Sequence, residues 1–517
     1  MGPSVLRAAV VIGTLCAGTP AFAQISTDQA RTEADQTSPR DRVRGLPTLK
    51  LRFDFGTIGE DFFVTFTSRF FWNQDQWGFG LALPLRFRVK DFDPDDQEDH
   101  LGILRKEDWD EPTDFFRLLR YVYFGQSDRQ GPYYVRLGDI EELELGHGTI
   151  VYRYYNGFDL DRWRAGLLLT GRTRLFGAEG VFSDLGRINS DVGLVGLRTY
   201  LHPQVLFEAP IDKNGDGIYG GEGDEPKGGQ ELQVGFSFFA DPTAPIRLNR
   251  TPGEDLNGNF MLDDGEDSNG NGVLDPVRIL LDDERHAIVE DRRFVGALGT
   301  DVHYRLFEEE WLTITPYADF NKLIHGGTGL GLHLGVRWQS TFQTGLAPVS
   351  FDARTEYRRT SGDYEAPYFG MTHEIERFDS PPGSGVTKLE ALRRARDLPW
   401  RNGYFLSLVG GMVPHVYGGI EYVDRGPNLS SLRLSLQLKL PYDFEVETFY
   451  YRFNILGASD LFGLDDRTAL LARVQIPIIS VFGVSGEWVR VFRAGAEGAG
   501  YEAVDAWNVG VAVSLTL

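Results

Sequence analysis

The sequence predicts an all-β fold. The chain reads as a single transmembrane antiparallel β-barrel of about 18 strands, within a range of roughly 16 to 20, with long external loops. Three observations carry this. Strict apolar/polar alternation recurs from residue 47 to residue 517, in stretches longer than a typical soluble strand. No stretch approaches the ~18 consecutive apolar residues that a spanning helix needs. The composition is rich in glycine (61 residues) and aromatics (13%), against a modest 42% hydrophobic content, which suits turns, strands and aromatic girdles. A chain that crosses lipid without helices must close its sheet, because lipid offers nothing to an unpaired strand edge.

Residues 1–23 predict a secretory signal peptide. Arg7 supplies the positive region, Ala8 to Cys16 the short apolar run, and Ala21-Phe22-Ala23 the cleavage site. The single cysteine, Cys16, lies in this segment, so neither disulfides nor thiolate metal sites are expected in the mature chain. Residues 24–46 are polar and read as a flexible periplasmic leader. The barrel is assigned to residues 47–517.

Within it, Leu49 to Phe55 alternates strictly. From Trp77 to Lys90, Trp77, Phe79, Leu81, Leu83, Leu85, Phe87 and Val89 share one face, and Gly78, Gly80, Ala82, Pro84, Arg86, Arg88 and Lys90 the other. Leu330 to Gln339, Phe351 to Arg358 and Leu432 to Leu440 repeat the pattern. Less regular strands fall near 61–73, 113–125, 132–140, 161–184, 190–201, 230–241, 292–321, 402–425, 442–455 and 466–492. The last strand sets Trp507, Val509, Val511, Val513, Leu515 and Leu517 against Asn508, Gly510, Ala512, Ser514 and Thr516. A soluble sandwich or propeller would have to bury the leucine-only face of 432–440, and no blade-like repeat is visible.

On these residues the chain resembles Gram-negative outer-membrane β-barrel proteins of the porin kind. The resemblance is architectural, over about residues 47–517, and the strand Trp507–Leu517 looks like that family's assembly signal. It departs in ending on Leu517 where an aromatic residue is usual. The resemblance implies integral placement in the outer membrane. Its partners would be membrane lipid, lipopolysaccharide and the barrel-assembly machinery. A homo-oligomer and periplasmic export partners both stay open. A formal charge of −23 repels nucleic acid and favours cations.

Two acidic insertions, at about 205–228 and 246–290, carry calcium-loop spacing. Asp212, Asn214 and Asp216 take positions 1, 3 and 5, with Gly217 at the sharp turn. Gly223 stands where a bidentate glutamate belongs. Asp255, Asn257, Asn259, Asp263 and Glu266 fill positions 1, 3, 5, 9 and 12 of a second copy, with Phe260 in place of glycine. Asp267, Asn269, Asn271 and Asp275 begin a third, which has Arg278 at position 12. The tandem resembles EF-hand loops and thrombospondin type 3 and dockerin repeats, which implies structural Ca2+. A further acidic loop runs from Asp91 to Glu111. In a fourth loop, Asp379 to Trp400, a short basic helix over 388–396 would lie on the rim or fold into the pore.

If the apolar faces meet lipid, the lumen holds Arg86, Arg88, Lys90, Arg337, Arg354, Arg358, Arg433 and Lys439, with Asp54, Asp352, Glu356, Glu445 and Glu447. Such facing charges either tune solute passage or cross-link neighbouring strands. The segment Gly138 to Thr149, with acidic residues around His147 between glycines, reads as a bulge or an inward-folded stretch. No GxSxG, HExxH or zinc-pair pattern occurs, so no enzyme is expected. The expected function is a porin-like channel for passive transport or export with calcium-ordered external loops. A structural or surface-adhesion barrel, and the barrel of a polysaccharide secretion system, are the alternatives.

Overall fold

The computed structural model describes residues 46–58, 61–90, 104–105, 108–109, 112–126, 131–157, 163–188, 190–207, 231–251, 278–280, 282, 287–309, 311–345, 347–380, 386–412, 415–424, 430–440, 444–455, 457–465, 467–479, 481–494 and 501–516. They form a closed antiparallel barrel of 20 strands, at the upper edge of the range the sequence predicts. In chain order these are β1 (Thr48–Ile58), β2 (Asp61–Asn73), β3 (Trp77–Lys90), β4 (Leu119–Gly125), β5 (Tyr133–Gly138), β6 (Gly166–Arg172) and β7 (Phe176–Phe182). Then come β8 (Val195–Leu201), β9 (Leu232–Leu248), β10 (Val289–Tyr304), β11 (Leu312–Ile324), β12 (Leu330–Phe342) and β13 (Val349–Thr360). The last are β14 (Arg401–Met412), β15 (Val416–Val423), β16 (Ser430–Leu440), β17 (Phe444–Ile455), β18 (Thr468–Ile479), β19 (Phe482–Ala494) and β20 (Tyr501–Thr516). A short piece, Phe307–Glu309, extends β10 along β11.

Each strand pairs with its sequence neighbour. β1 closes the ring on β20, from Thr48↔Thr516 to Ile58↔Ala506. Closure removes the sheet edge, as lipid requires. The outward faces are the apolar parity of the sequence: Leu81, Leu83, Phe87 and Val89 on β3, Leu332 and Leu334 on β12, Leu436 and Leu440 on β16 are all exposed. The inward parity is small or polar, as Arg86 and Arg88 on β3 and His333 on β12 show, all of them buried. Trp72 and Trp77, 5.2 Å apart, with exposed Trp311 and Trp338, ring the end that holds Thr48 and Thr516. Trp400, Tyr404, Trp488 and Trp507 lie toward the opposite end, the last two stacked at 5.0 Å.

In β9 the register slips between Asp241 and Ala244. The extra residue changes which parity faces inward, so that Phe239 and Asp241 before it, and Ala244 and Leu248 after it, are all buried.

The connections at the Thr48/Thr516 end are short, as at 74–76, 173–175, 413–415 and 441–443. One is not: the connection 202–231 leaves from this same end. The expectation that both acidic insertions are external is therefore corrected. Alternation of strand direction has the chain leave β8 at Leu201 and β9 at Leu248 from opposite ends of the barrel. The residues that fit a calcium loop (Asp212, Asn214, Asp216, Asp255, Asn257, Asn259, Asp263, Glu266, Asp267, Asn269, Asn271 and Asp275) lie outside the described residues, as do residues 1–45 and most of the loop 91–111.

Two connections fold back into the lumen. After β5 the chain forms a small antiparallel pair, Leu143–Leu145 with Val151–Tyr154. Its tight course uses left-handed glycines at Gly146 (φ 63°) and Gly148 (φ 72°). After β13, residues 361–398 include helical turns at His373–Glu376 and Lys388–Arg394. The second is N-capped: Thr387 Oγ1 accepts the Glu390 N–H at 3.1 Å. Lys388, Leu389 and Leu392 are buried while Arg393 and Arg394 are exposed, so the helix packs one face inward beside the end of β9, where Thr387 donates to the Ile246 carbonyl. The two inner segments join along Tyr152 N–H to Phe369 O (3.1 Å) and Phe369 N–H to Ile150 O (3.0 Å). Val151, Tyr154 and Phe369 at this junction are fully buried.

Candidate functional site

The inward segments meet a wall studded with charge, and the wall charges find partners on them. From β13, Arg354 donates to Glu144 Oε1 and to the His147 carbonyl, both at 2.7 Å. From β16, Arg433 donates to Glu142 Oε1 at 2.6 Å. From β15, Glu421 accepts from Arg153 Nε at 2.9 Å and from the Tyr152 hydroxyl at 2.5 Å. Burial pushes the Glu142 and Glu144 carboxyls up, but the facing guanidiniums outweigh it and hold both below the usual carboxylate range.

The tip of the first segment docks on β10 and β11. His147 Nδ1 lies 2.6 Å from Asp319 Oδ1, and its Nε2 lies 2.9 Å from His303 Nδ1. Its ring stacks on Tyr317, with centroids 4.2 Å apart. Thr149 donates to Asp319 Oδ2 at 2.6 Å. Asn321 donates to Thr149 (2.9 Å) and to the Tyr364 hydroxyl (3.0 Å). Beyond Tyr364, His333 lies 2.9 Å from Glu356 Oε1, and Glu356 also takes Arg358 Nε at 2.6 Å and the Tyr317 hydroxyl at 2.7 Å. Every polar group in this run has a partner, which is what burial demands.

The second segment is anchored by a denser cluster. Arg377 reaches Asp191 (2.8 Å), Asp241 (3.0 Å) and Glu374 (3.5 Å). Arg164 reaches Glu374 at 2.9 Å and Asp191 at 3.5 Å. Lys388 is held between Glu365 (2.9 Å) and Glu376 (3.2 Å). A third buried group, at the far end of β3, gathers Arg86, Arg105 and Arg117 on one oxygen of Asp108, at 2.5, 3.0 and 2.5 Å. Burial would raise the Asp108 carboxyl, but the three guanidiniums hold it far below the usual range.

Toward the Thr48/Thr516 end the lumen opens. A cavity of about 230 Å³ is lined there by Thr313, Gln339, Thr341, Ser350, Asp352 and Tyr417. Arg337 beside it is 42% exposed and grips Asp352 Oδ1 and Oδ2 through Nε at 3.0 Å each, a fork that leaves the mouth polar but locally neutral.

The lumen residues expected from the sequence thus divide. Arg337 and Asp352 border open space, Lys439 with Glu445 (3.3 Å) is a partly exposed pair, and Glu447 lies 3.8 Å from the buried Arg473. Lys90 is exposed at the end of β3. Arg86, Arg88, Arg354, Glu356 and Arg358 are buried. Arg433 is spoken for by Glu142. Inner segments cover Arg354, Arg358 and Arg433, whereas Arg86 is held by Asp108 and Arg88 by Asp61.

Sequence reasoning missed Glu421 and Glu487. Each is a lone acid on the inward parity of its strand, and that signal was available. It also missed Asp191, Asp241, Glu374 and Arg377, which sit in connections or at the β9 bulge, where no period marks them. Among the described residues no group of three His, Cys, Asp or Glu side chains is placed to hold a metal. No helix among them is long and apolar enough to cross a membrane.

No protein-family model matches the chain. No curated protein matches it by sequence. Among solved structures, Pseudomonas aeruginosa OccK11 (OpdR) is similar at a TM-score of 0.30 and 11% identity, over 92% of this chain and 98% of that one. Pseudomonas aeruginosa OprD gives 0.31 and 9%, over 91% and 95%. Wzi, an outer-membrane protein involved in group 1 capsule assembly in Escherichia coli and described as a carbohydrate-binding β-barrel, gives 0.34 and 8%, over 96% and 89%. Similarity at these scores carries no argument about function.

Proposed function

We propose that the protein is an integral outer-membrane barrel acting as a narrow, charge-lined channel, for passive transport or export. Segments 139–157 and 361–398 are its constriction. The observation that carries this is the polar cavity at Thr313, Gln339, Ser350, Asp352 and Tyr417, at the Thr48/Thr516 end of a barrel whose wall charges pair with inward segments. The apolar outward face and its aromatic ends support placement in a bilayer. Calcium is proposed to order the insertions at about 205–228 and 246–290, through Asp212, Asn214, Asp216 and the tandem from Asp255 to Asp275. Hard oxygen donors at that spacing suit a loosely coordinated cation.

A closed structural barrel is the second reading, favoured by the full burial of Val151, Tyr154, His333 and Phe369 across the lumen. Single-channel recording of the refolded mature protein in a planar bilayer separates the two. Discrete conductance steps are expected, with a change when millimolar calcium is replaced by a chelator. Silence from protein whose gel migration is heat-modifiable would leave the closed barrel.

A further inference from the structure

Two non-glycine residues of the described chain have left-handed backbones, Glu142 (φ 40°) and Arg153 (φ 49°). Such a backbone is strained for a residue with a side chain. Both lie in the first inner segment, and they are each other's partner: Arg153 Nη1 donates to Glu142 Oε2 at 2.8 Å. Each also reaches the wall. Arg433 of β16 holds Glu142 at 2.6 Å, and Glu421 of β15 holds Arg153 at 2.9 Å. Glu421 and Arg433 face one another in the β15–β16 register. Four alternating charges thus run in a chain, Arg433–Glu142–Arg153–Glu421, whose two ends stand on neighbouring wall strands. A space of about 20 Å³, the size of one water, lies beside them, lined in part by Tyr152, Glu421, Ser431 and Arg433.

We propose that this quartet is a latch and that the segment 139–157 is a gate strained in its closed position. The proposal rests on the channel reading. Elsewhere in the segment, at Gly146 and Gly148, glycine supplies positive φ without strain. At 142 and 153 the chain keeps charged side chains, and the strained backbone is what aims them at each other and at the wall. The strain is balanced only while the ion pairs stand. When a pair breaks, its residue relaxes toward an ordinary backbone and can no longer re-form the contact. Pair breaking and movement of the segment are therefore one two-state event.

The test uses a reporter cysteine, Leu143→Cys, at a buried position (1% exposed) in the segment. Its labelling by a water-soluble maleimide is followed on folded protein in lipid vesicles, beside single-channel recording. Glu142→Gln removes charge and keeps strain. Glu142→Gly removes both. Glu421→Gln breaks the chain of charges from the wall, so the test does not hang on position 142. Labelling is expected to rise about tenfold or more in Glu142→Gln and Glu421→Gln, and less in Glu142→Gly. Unchanged labelling in both glutamine variants, with heat-modifiable migration intact, overturns the latch. A glycine variant that labels as fast as the glutamine variant overturns the strained gate. Faster labelling without conductance in any protein supports the latch and sinks the channel reading. Conductance whose open fraction does not follow labelling overturns the gate.

Discussion

Replacing Arg377 by methionine tests whether the inner segment 361–398 is docked independently of the wall. Arg377 is 1% exposed and bridges Asp191, Asp241 and Glu374, while also donating to the Thr243 carbonyl at 3.2 Å. Methionine keeps much of the length and removes the charge. Asp191 would retain Arg292 at 3.1 Å and Arg164, and Glu374 would retain Arg164. Asp241 is the loser, since its remaining basic neighbour is His373 at 3.8 Å. Removing one partner of a buried pair costs about 3 to 5 kcal/mol, and the two retained contacts put this case at the low end, about 3 kcal/mol. That is about two orders of magnitude in the equilibrium between docked and released segment.

The wall should not share the loss. Its strands are held by continuous backbone ladders, and closure of β1 on β20 lies far from Arg377. The loss is therefore expected as local opening. Chymotrypsin reports it, because Tyr364, Tyr368, Phe369 and Phe378 in this segment are all buried in the intact protein. Cleavage there should accelerate by about a hundredfold in Arg377→Met while gel migration stays heat-modifiable. Wild-type cleavage rates in a folded variant would refute the assigned cost. A variant that no longer forms the barrel would refute the independence of segment and wall.

Further expectations follow from the same geometry. Burial raises the carboxyls of Glu142, Glu144 and Glu374, but arginines outweigh it and depress all three. A depressed pKa contributes stability that is present above the unfolded value of about 4.3 and is lost as pH falls through the folded one. The carboxylate share of this docking should thus weaken below about pH 4, read as pepsin cleavage of the inner segments against pH; cleavage that does not accelerate between about pH 4 and about pH 2 would contradict it. At Gly335 a methyl group would stand 2.2 Å from Tyr317 Cζ. Gly335→Ala should therefore cost about 1 to 3 kcal/mol by moving Tyr317 off Glu356, measured as a lower urea midpoint. Leu334→Arg, its outward neighbour (47% exposed), should cost about 2 to 4 kcal/mol in vesicles, and a neutral result would argue against a lipid-facing β12. An epitope inserted between Leu248 and Val289 should be reached by antibody on intact cells, and one between Leu201 and Leu232 should not. Equal access would overturn the strand count between them.

What the sequence made legible follows from what lipid demands. An outward face must be apolar without interruption, so β3, β12, β13, β16 and β20 announce themselves by parity. The strands β4 to β8 are short, six or seven residues each. Such runs fit few periods, so β6 and β7 read as one stretch over 161–184. Merged strands cost more than a count, because each missed turn reverses the end from which every later loop emerges. The insertion after β8 was expected outside because it is long, whereas strand direction has the chain leave Leu201 at the Thr48/Thr516 end.

The site divides in the same way. Arg354, Glu356 and Arg433 were legible because a charge on the inward parity of a membrane strand has nowhere else to point. Their partners were not. Glu142, Glu144 and His147 lie in a connection whose course is set by Gly138, Gly146 and Gly148 and by long-range pairing to β10, β11, β13 and β16, none of which has a period. Inward charge on a barrel wall therefore does not by itself measure water in the lumen. Arg337, with an exposed side chain beside an open cavity, and Arg354, buried under Glu144, carry the same inward parity on adjacent strands. The two face one another in the β12–β13 register, so height does not separate them; what does is that Glu144 and the His147 carbonyl of the inner segment reach Arg354, while Arg337 turns to Asp352.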